Sequence, residues 1–170
     1  HFVTVSSSSC STTVSTPSRR KSVAGTDRTV TPDGALAGGP AVILIEPQLG
    51  ENIGMAARAM MNCGLTDMRL VNPRDEWPNR HAEAAAAGAT AVIEGVRVYD
   101  TTEAAIADLQ MVYATTARPR DMTMEVMTPC EAVARMKADE TGCVRSGVLF
   151  GKEAKGLKND DVTQADAIVM

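Results

Sequence analysis

From residue 41 onward, short apolar runs alternate with helix-length segments, which predicts an α/β fold with a mostly parallel sheet flanked by helices. Three observations carry this. Ala41-Val42-Ile43-Leu44-Ile45 is continuously apolar, as a strand covered on both faces requires. Comparable runs recur at residues 68–71, 111–114 and 146–150, with helical signals between them. The chemically unusual residues fall in loops directly after three of these runs, where parallel sheets bind ligands.

Taken in order, the strand at residues 41–45 leads into a helix over residues 52–62, rich in Ala and Met, which Gly64 terminates. Residues 68–71 form a strand stopped by Asn72-Pro73. An Ala-rich helix over residues 80–87 ends at Gly88, and a strand follows at residues 96–99. Asp100-Thr101-Thr102-Glu103 has capping-box spacing for a helix running to Leu109. After the strand at residues 111–114, Thr128-Pro129-Cys130-Glu131 is a second capping box, with Pro at the first helical position. The strand at residues 146–150 precedes a glycine-bearing loop. Asn159 is expected to cap a short helix through Ala165, and Ile168-Val169-Met170 reads as a strand that has barely begun.

Composition bounds the rest. The chain has 170 residues, enough for one domain and a tail, with 44% hydrophobic and only 3% aromatic residues. Its core is therefore built from Ala, Val, Ile, Leu and Met. No apolar run approaches the ~20 residues that span a bilayer, so a soluble protein with no membrane partner is expected. Residues 1–40 hold Arg19, Arg20, Lys21 and Arg28 against Asp27 and Asp33, so the net charge of −4 places −6 on the remainder. An acidic body argues against coating nucleic acid by bulk electrostatics, while leaving room for a local basic mouth. Cys10, Cys63, Cys130 and Cys143 form no CxxC pair, and His1 and His81 complete no zinc spacing, so no metal is expected. Scattered thiols fit a reducing compartment, and the cytoplasm is the expected location.

Residues 1–40 read as a disordered Ser/Thr-rich tail, and residues 41–170 as the domain. The tail lacks the apolar segment of a secretory signal. Its Ser-rich, Arg-bearing, acid-poor composition overlaps with organellar transit peptides, but the initial His makes an incomplete or mis-extended reading frame the better account.

Three loops hold the chemistry. Glu46-Pro47-Gln48-Leu49-Gly50-Glu51-Asn52-Ile53-Gly54 puts Asn52 and Gly54 where a strand turns into a helix N-terminus, a natural anion site, with Arg58 less than two turns into that helix. Taken alone, it is equally an N-capped helix with a surface arginine. In Thr115-Thr116-Ala117-Arg118, small residues let a flat ligand approach the backbone and Arg118 offers a phosphate contact; an ordinary loop with a solvated arginine has the same letters. Gly151-Lys152-Glu153-Ala154-Lys155-Gly156 has the glycine spacing of a phosphate-binding loop. Leu157 and Lys158 replace the Lys and Ser/Thr that hold phosphate and magnesium, which argues against an NTPase. Gly50 and Gly54 do not make the dinucleotide fingerprint GxGxxG either.

Together and in this order, the loops resemble the SpoU branch of the SPOUT methyltransferases, most closely the TrmJ-type tRNA 2'-O-methyltransferases. Glu51-Asn52-Ile53-Gly54-Met55-Ala56-Ala57-Arg58-Ala59-Met60 resembles that family's first motif, and Leu149-Phe150-Gly151-Lys152-Glu153-Ala154-Lys155-Gly156-Leu157 its second. Lys152 and Lys155 stand where TrmJ-type proteins often carry Arg. A third motif, an Ile-Pro turn followed by Ser-Leu-Asn, is not found before Met170, so the expected domain is one lacking its C-terminal knot segment.

The resemblance implies a SPOUT α/β-knot fold, S-adenosyl-L-methionine as cofactor, RNA as partner, and a homodimer in the complete protein. It implies methyl transfer to a ribose 2'-hydroxyl of tRNA in the anticodon loop, with ribosomal RNA as the alternative. It assigns Arg58 and Asn52 to catalysis and Thr115, Thr116, Ala117 and Gly151 to the cofactor. Arg118 and Lys152 fall to RNA phosphates, and Glu153 to support of the second motif. A non-catalytic RNA-binding α/β module is the competing class, because the third motif is missing.

Overall fold

The computed structural model describes residues 39–116 and 124–170. The expected tail up to residue 38, together with Ala117 and Arg118, lies outside the described residues. The first half of the domain runs β1 (Ala41–Ile45), α1 (Gly50–Asn62), β2 (Met68–Val71), α2 (Arg80–Ala85), α3 (Thr90–Glu94), β3 (Arg97–Tyr99) and α4 (Thr102–Ile106). The second half runs β4 (Met111–Thr115), β5 (Glu125–Met127), α5 (Pro129–Thr141), β6 (Ser146–Phe150), α6 (Asn159–Val162) and β7 (Ala167–Val169).

The strands form one sheet in the order β3-β2-β1-β6-β4-β7-β5, and every pair within it is parallel. The mostly parallel expectation is thus met in full among the described residues. Register decides which residues share a face. Val42 pairs with Met68 and Val148, and Val148 with Tyr113, so these side chains project to one side. There Val42, Met68 and Leu70 pack on Ile53, Ala57 and Met60 of α1 and on Ala82 and Val92 beyond it. Farther along the same face, Tyr113, Met127 and Ala167 pack on Ala132 and Met136 of α5. Ile43, Ile45, Val112, Ala114 and Leu149 project to the other side, against Ala105 of α4 and Val162 of α6. Each fully buried Ile or Leu in these layers contributes about 1.5–3 kcal/mol relative to exposure.

Local signals set most boundaries. Helix α1 ends in a Schellman motif: Gly64 has φ +74°, Leu65 N donates to Met60 O at 2.9 Å, and Gly64 N donates to Met61 O at 3.1 Å. The second capping box is complete, with Glu131 N donating to Thr128 Oγ1 and Thr128 N to Glu131 Oε2. Other expectations are corrected. Helix α1 begins at Gly50, after Leu49 and without a side-chain cap, so Asn52 does not cap it. Arg58 then lies eight residues in, about 2.2 turns rather than fewer than two. Thr101, not Asp100, caps α4 by accepting from Ala104 N, and the helix stops at Ile106 instead of reaching Leu109. Lys158, not Asn159, precedes α6. Strand β7 pairs with both β4 and β5 and is an interior strand.

Arg69 is the residue that the apolar reading of β2 obscured. It shares a face with Val71 and is fully buried, yet its guanidinium has a complete set of partners. It donates to Asp67 Oδ2 at 2.8 Å, to Ala105 O at 2.6 Å and to Asp108. Arg97 and Arg145 flank this group, each on one of the two aspartates. Buried charge is tolerated when paired and hydrogen-bonded in this way.

Candidate active site

Because β1, β6 and β4 are adjacent and parallel, the chain leaves all three at the same sheet edge. Three sequence-distant loops meet there. After β1, Glu46 adopts φ +48°, which turns the chain out of the sheet while its N–H still donates to Val71 O at 2.8 Å. This left-handed conformation is unusual for a residue with a side chain. Here the Glu46 carboxylate is engaged by two ammonium groups, Lys152 and Lys158, more than a hundred residues away in sequence. The Lys152 hydrogen bond, followed by that of Lys158, holds the Glu46 carboxyl below its ordinary range.

A second clasp runs in the opposite sense. The Glu153 carboxylate, in the loop after β6, accepts from Gln48 N at 3.0 Å and from Asn52 Nδ2 at 2.9 Å. Burial pushes the Glu153 carboxyl up, but the Asn52 amide and the backbone N–H groups of Glu153, Gln48 and Leu49 outweigh it, and the net direction is down. The loop over residues 151–157 is itself a tight reversal, with Gly156 N donating to Lys152 O at 2.8 Å. Gly151 has no room for a side chain. A Cβ there would lie 2.1 Å from both Gly156 C and Leu157 N, so the need for glycine arises within the chain's own backbone.

The loop after β6 and the end of β4 border a cavity of about 350 Å3, lined by Thr115, Thr116, Phe150, Gly151, Lys152 and Glu153 among others. Thr115 Oγ1 donates to Leu149 O at 2.8 Å, and Thr116 N to Val169 O at 3.1 Å, which fixes the end of β4 beside the loop. The structure therefore brings together Thr115, Thr116, Gly151, Lys152 and Glu153, with Asn52 one hydrogen bond away. Arg58 is not among the lining residues. It is exposed on α1 and makes no side-chain hydrogen bond or ion pair among the described residues. Lys152, expected to meet RNA phosphates, is paired with Glu46. Sequence reasoning gave Glu46 and Lys158 no role, because nothing local distinguishes a carboxylate whose partners lie in another loop. A larger cavity, about 490 Å3, opens at the opposite sheet edge near Ala41, Asp67 and Ser146, and no motif residue borders it.

Many protein classes share a parallel α/β sheet with loops gathered at its central strands, and sequence comparison decides among them. Residues 39–170 match the SpoU rRNA methylase family, and the chain belongs to that family. Among solved structures, it is similar to TrmJ from Z. mobilis ZM4, with 52% identity and a TM-score of 0.74 over 78% of this chain and 58% of that one. Among curated proteins, it is 36% identical to the tRNA (cytidine/uridine-2'-O-)-methyltransferase TrmJ of Salmonella typhimurium strain LT2, over 71% of this chain and 49% of that protein. It is 33% identical to the uncharacterized tRNA/rRNA methyltransferase LasT of Escherichia coli K12, over 75% of this chain and 55% of LasT. The chain thus spans about half the length of the curated relatives it matches. A structure of an AdoMet-bound rRNA methyltransferase from Sinorhizobium meliloti, 18% identical with a TM-score of 0.57, shares the fold.

Proposed function

We propose that this chain is the cofactor-binding domain of an S-adenosylmethionine-dependent RNA ribose 2'-O-methyltransferase acting on tRNA. The observation that carries the proposal is that the second motif loop and the end of β4 line one cavity, with the first motif loop clasped to it through Asn52–Glu153 and Glu46–Lys152. The likeness to TrmJ, named a tRNA (cytidine/uridine-2'-O-)-methyltransferase in Salmonella typhimurium, supports the reaction and the substrate class.

The cavity residues fit such a cofactor. Its volume of about 350 Å3 lies within the ~300–1,000 Å3 typical of small-molecule sites. Phe150, 40% exposed, offers an aromatic face, and Thr115, Thr116 and Gly151 offer small side chains and backbone beside it. When bound, the cofactor supplies an electrophilic methyl: the sulfur–carbon bond breaks as the oxygen–carbon bond forms, a neutral thioether remains, and the hydroxyl proton is released.

The protein's task is then positioning, since the donor carries the driving force. Thr115, Thr116 and Gly151, with Ala117, hold the cofactor. Asn52 supports the ribose or its phosphate from the position that Glu153 gives it. Arg58, without a protein partner among the described residues, is available to the reacting hydroxyl or an adjacent phosphate as a planar, multidentate donor. Arg118 and Lys152 serve RNA phosphates, Lys152 once its ammonium leaves or shares Glu46. The homodimer, the trefoil knot and a cytoplasmic location belong to the same reading.

The test is methyl transfer from labelled cofactor by the full-length protein to unmodified tRNA and, separately, to ribosomal RNA. Nuclease-resistant 2'-O-methyl dinucleotides from tRNA are expected. Label confined to ribosomal RNA would replace the substrate, and no transfer to either would leave an RNA-binding module.

A further inference from the structure

Of the charged side chains lining the cavity, Lys152 and Lys155 are cationic and Glu153 is anionic, which leaves one positive charge in excess. That excess is unsuited to a ligand which itself carries a sulfonium. Glu46 does not line the cavity, yet its carboxylate, only 20% exposed, bonds both the Lys152 and the Lys158 ammonium. Counting Glu46 and the Lys158 that it bonds with the lining groups gives a formal sum of +1, which would be +2 without the Glu46 carboxylate. The left-handed turn at Glu46 places this carboxylate on the site's side of the sheet edge, and Gln48 Nε2 donating to Glu46 O at 2.8 Å helps to hold that turn.

We propose that Glu46 is a positioning residue that sets the charge of the cavity: by holding Lys152 and Lys158, it lets a sulfonium enter without the repulsion that two unpaired ammonium groups would exert. The inference rests on the methyl-transfer reading above. It adds a distinction which that reading does not contain, between the cationic methyl donor and the neutral thioether left after transfer. Both ligands share the adenosine and the amino-acid portion, so a mere loosening of the loop weakens both alike. Removing a unit of negative charge weakens the sulfonium alone.

The experiment measures calorimetric affinities of the full-length protein for S-adenosylmethionine and S-adenosylhomocysteine, and takes their ratio. A unit charge on the order of 10 Å from the sulfonium changes affinity by about twofold at an effective dielectric near 80, and about fifteenfold near 20. Glu46→Gln is expected to shift the ratio against the sulfonium by a factor in that range, with the shift shrinking at high salt. Lys158→Gln, which removes a cation from the same group at an exposed position, is expected to shift the ratio toward the sulfonium. Opposite signs for the two variants support the proposal, and if Glu46→Gln does not fold, the sign from Lys158→Gln decides alone. Equal weakening of both ligands, or an unmoved ratio in the folded variants, overturns it while leaving the methyl-transfer reading intact. Failure of the parent protein to bind either ligand overturns both.

Discussion

Replacing Gly151 with Ala tests how much of the cavity depends on one close backbone approach. The added methyl carbon would meet Gly156 C and Leu157 N at 2.1 Å and Gly156 O at 2.5 Å. Carbon atoms not bonded to each other settle about 3.5–4.0 Å apart, so the two arms of the loop must separate by more than about 1 Å. No flexible side chain end is available to yield, because all three atoms are backbone. Separation breaks the 2.8 Å bond from Gly156 N to Lys152 O and draws Leu157, 4% exposed, out of the core layer under α6. Overpacking of this kind costs about 1–3 kcal/mol. For a chain of 170 residues that is a fall in Tm of about 2–12 °C, and the same strain reversed on binding weakens cofactor affinity by about 5- to 150-fold. Gly156→Ala is the matched control. Its Cβ meets nothing within 4 Å, so the change carries only the strain of φ +68°, about 1–2 kcal/mol. Thermal melting and calorimetry on both variants decide the point. A Gly151→Ala protein that melts and binds cofactor like its parent would refute the close-approach reasoning.

Arg58→Ala is expected to abolish methyl transfer while cofactor affinity stays within about threefold of the parent, since Arg58 lies outside the cavity lining; substantial residual transfer would remove it from the reaction. Asp108→Asn leaves buried Arg69 with Asp67 and Ala105 O, and should cost about 1–2 kcal/mol in a denaturant titration. That is below the ~3–5 kcal/mol of a fully buried pair because the Asp108 side chain is 37% exposed, and an unchanged midpoint would show that the pair is dispensable. The same cluster sets an acid limit. The Arg69 hydrogen bond holds the Asp108 carboxyl below its usual range; burial pushes Asp67 up, but Arg69 and Arg97 outweigh it. Groups with depressed folded values stabilise above the unfolded value of about 3.9 and lose that stabilisation as pH falls through the lower folded values. The Tm should therefore drop steeply below about pH 4, and less steeply in Arg69→Met; identical acid slopes for the two proteins would detach the cluster from the effect.

Which features were legible depended on how local their cause was. The five-residue apolar run of β1, the Gly64 helix end and the Thr128–Glu131 capping box are written in adjacent residues, and each appears where the pattern places it. Strand β5 and helix α3 were not anticipated. Glu125-Val126-Met127 is a three-residue edge strand with two exposed positions, too short to show a period, and α3 has only five residues. Strand β3 begins at Arg97, one residue later than expected, and α4 stops at Ile106, three residues short of Leu109.

Periodicity, which acts over a few residues, was sufficient for the fold class, and the resemblance of two motifs for the family. Tertiary structure alone decided the rest. It buried Arg69 between neighbouring Asp67 and distant Asp108, turned Lys152 and Lys158 onto Glu46, and set Asn52 against Glu153 rather than on its own helix end. It also made Gly151 obligatory through the backbone of Gly156 and Leu157. For Glu46, Lys152, Lys158, Asn52 and Glu153 the partner is brought near by the parallel order of β1 and β6, and no local rule carries that information.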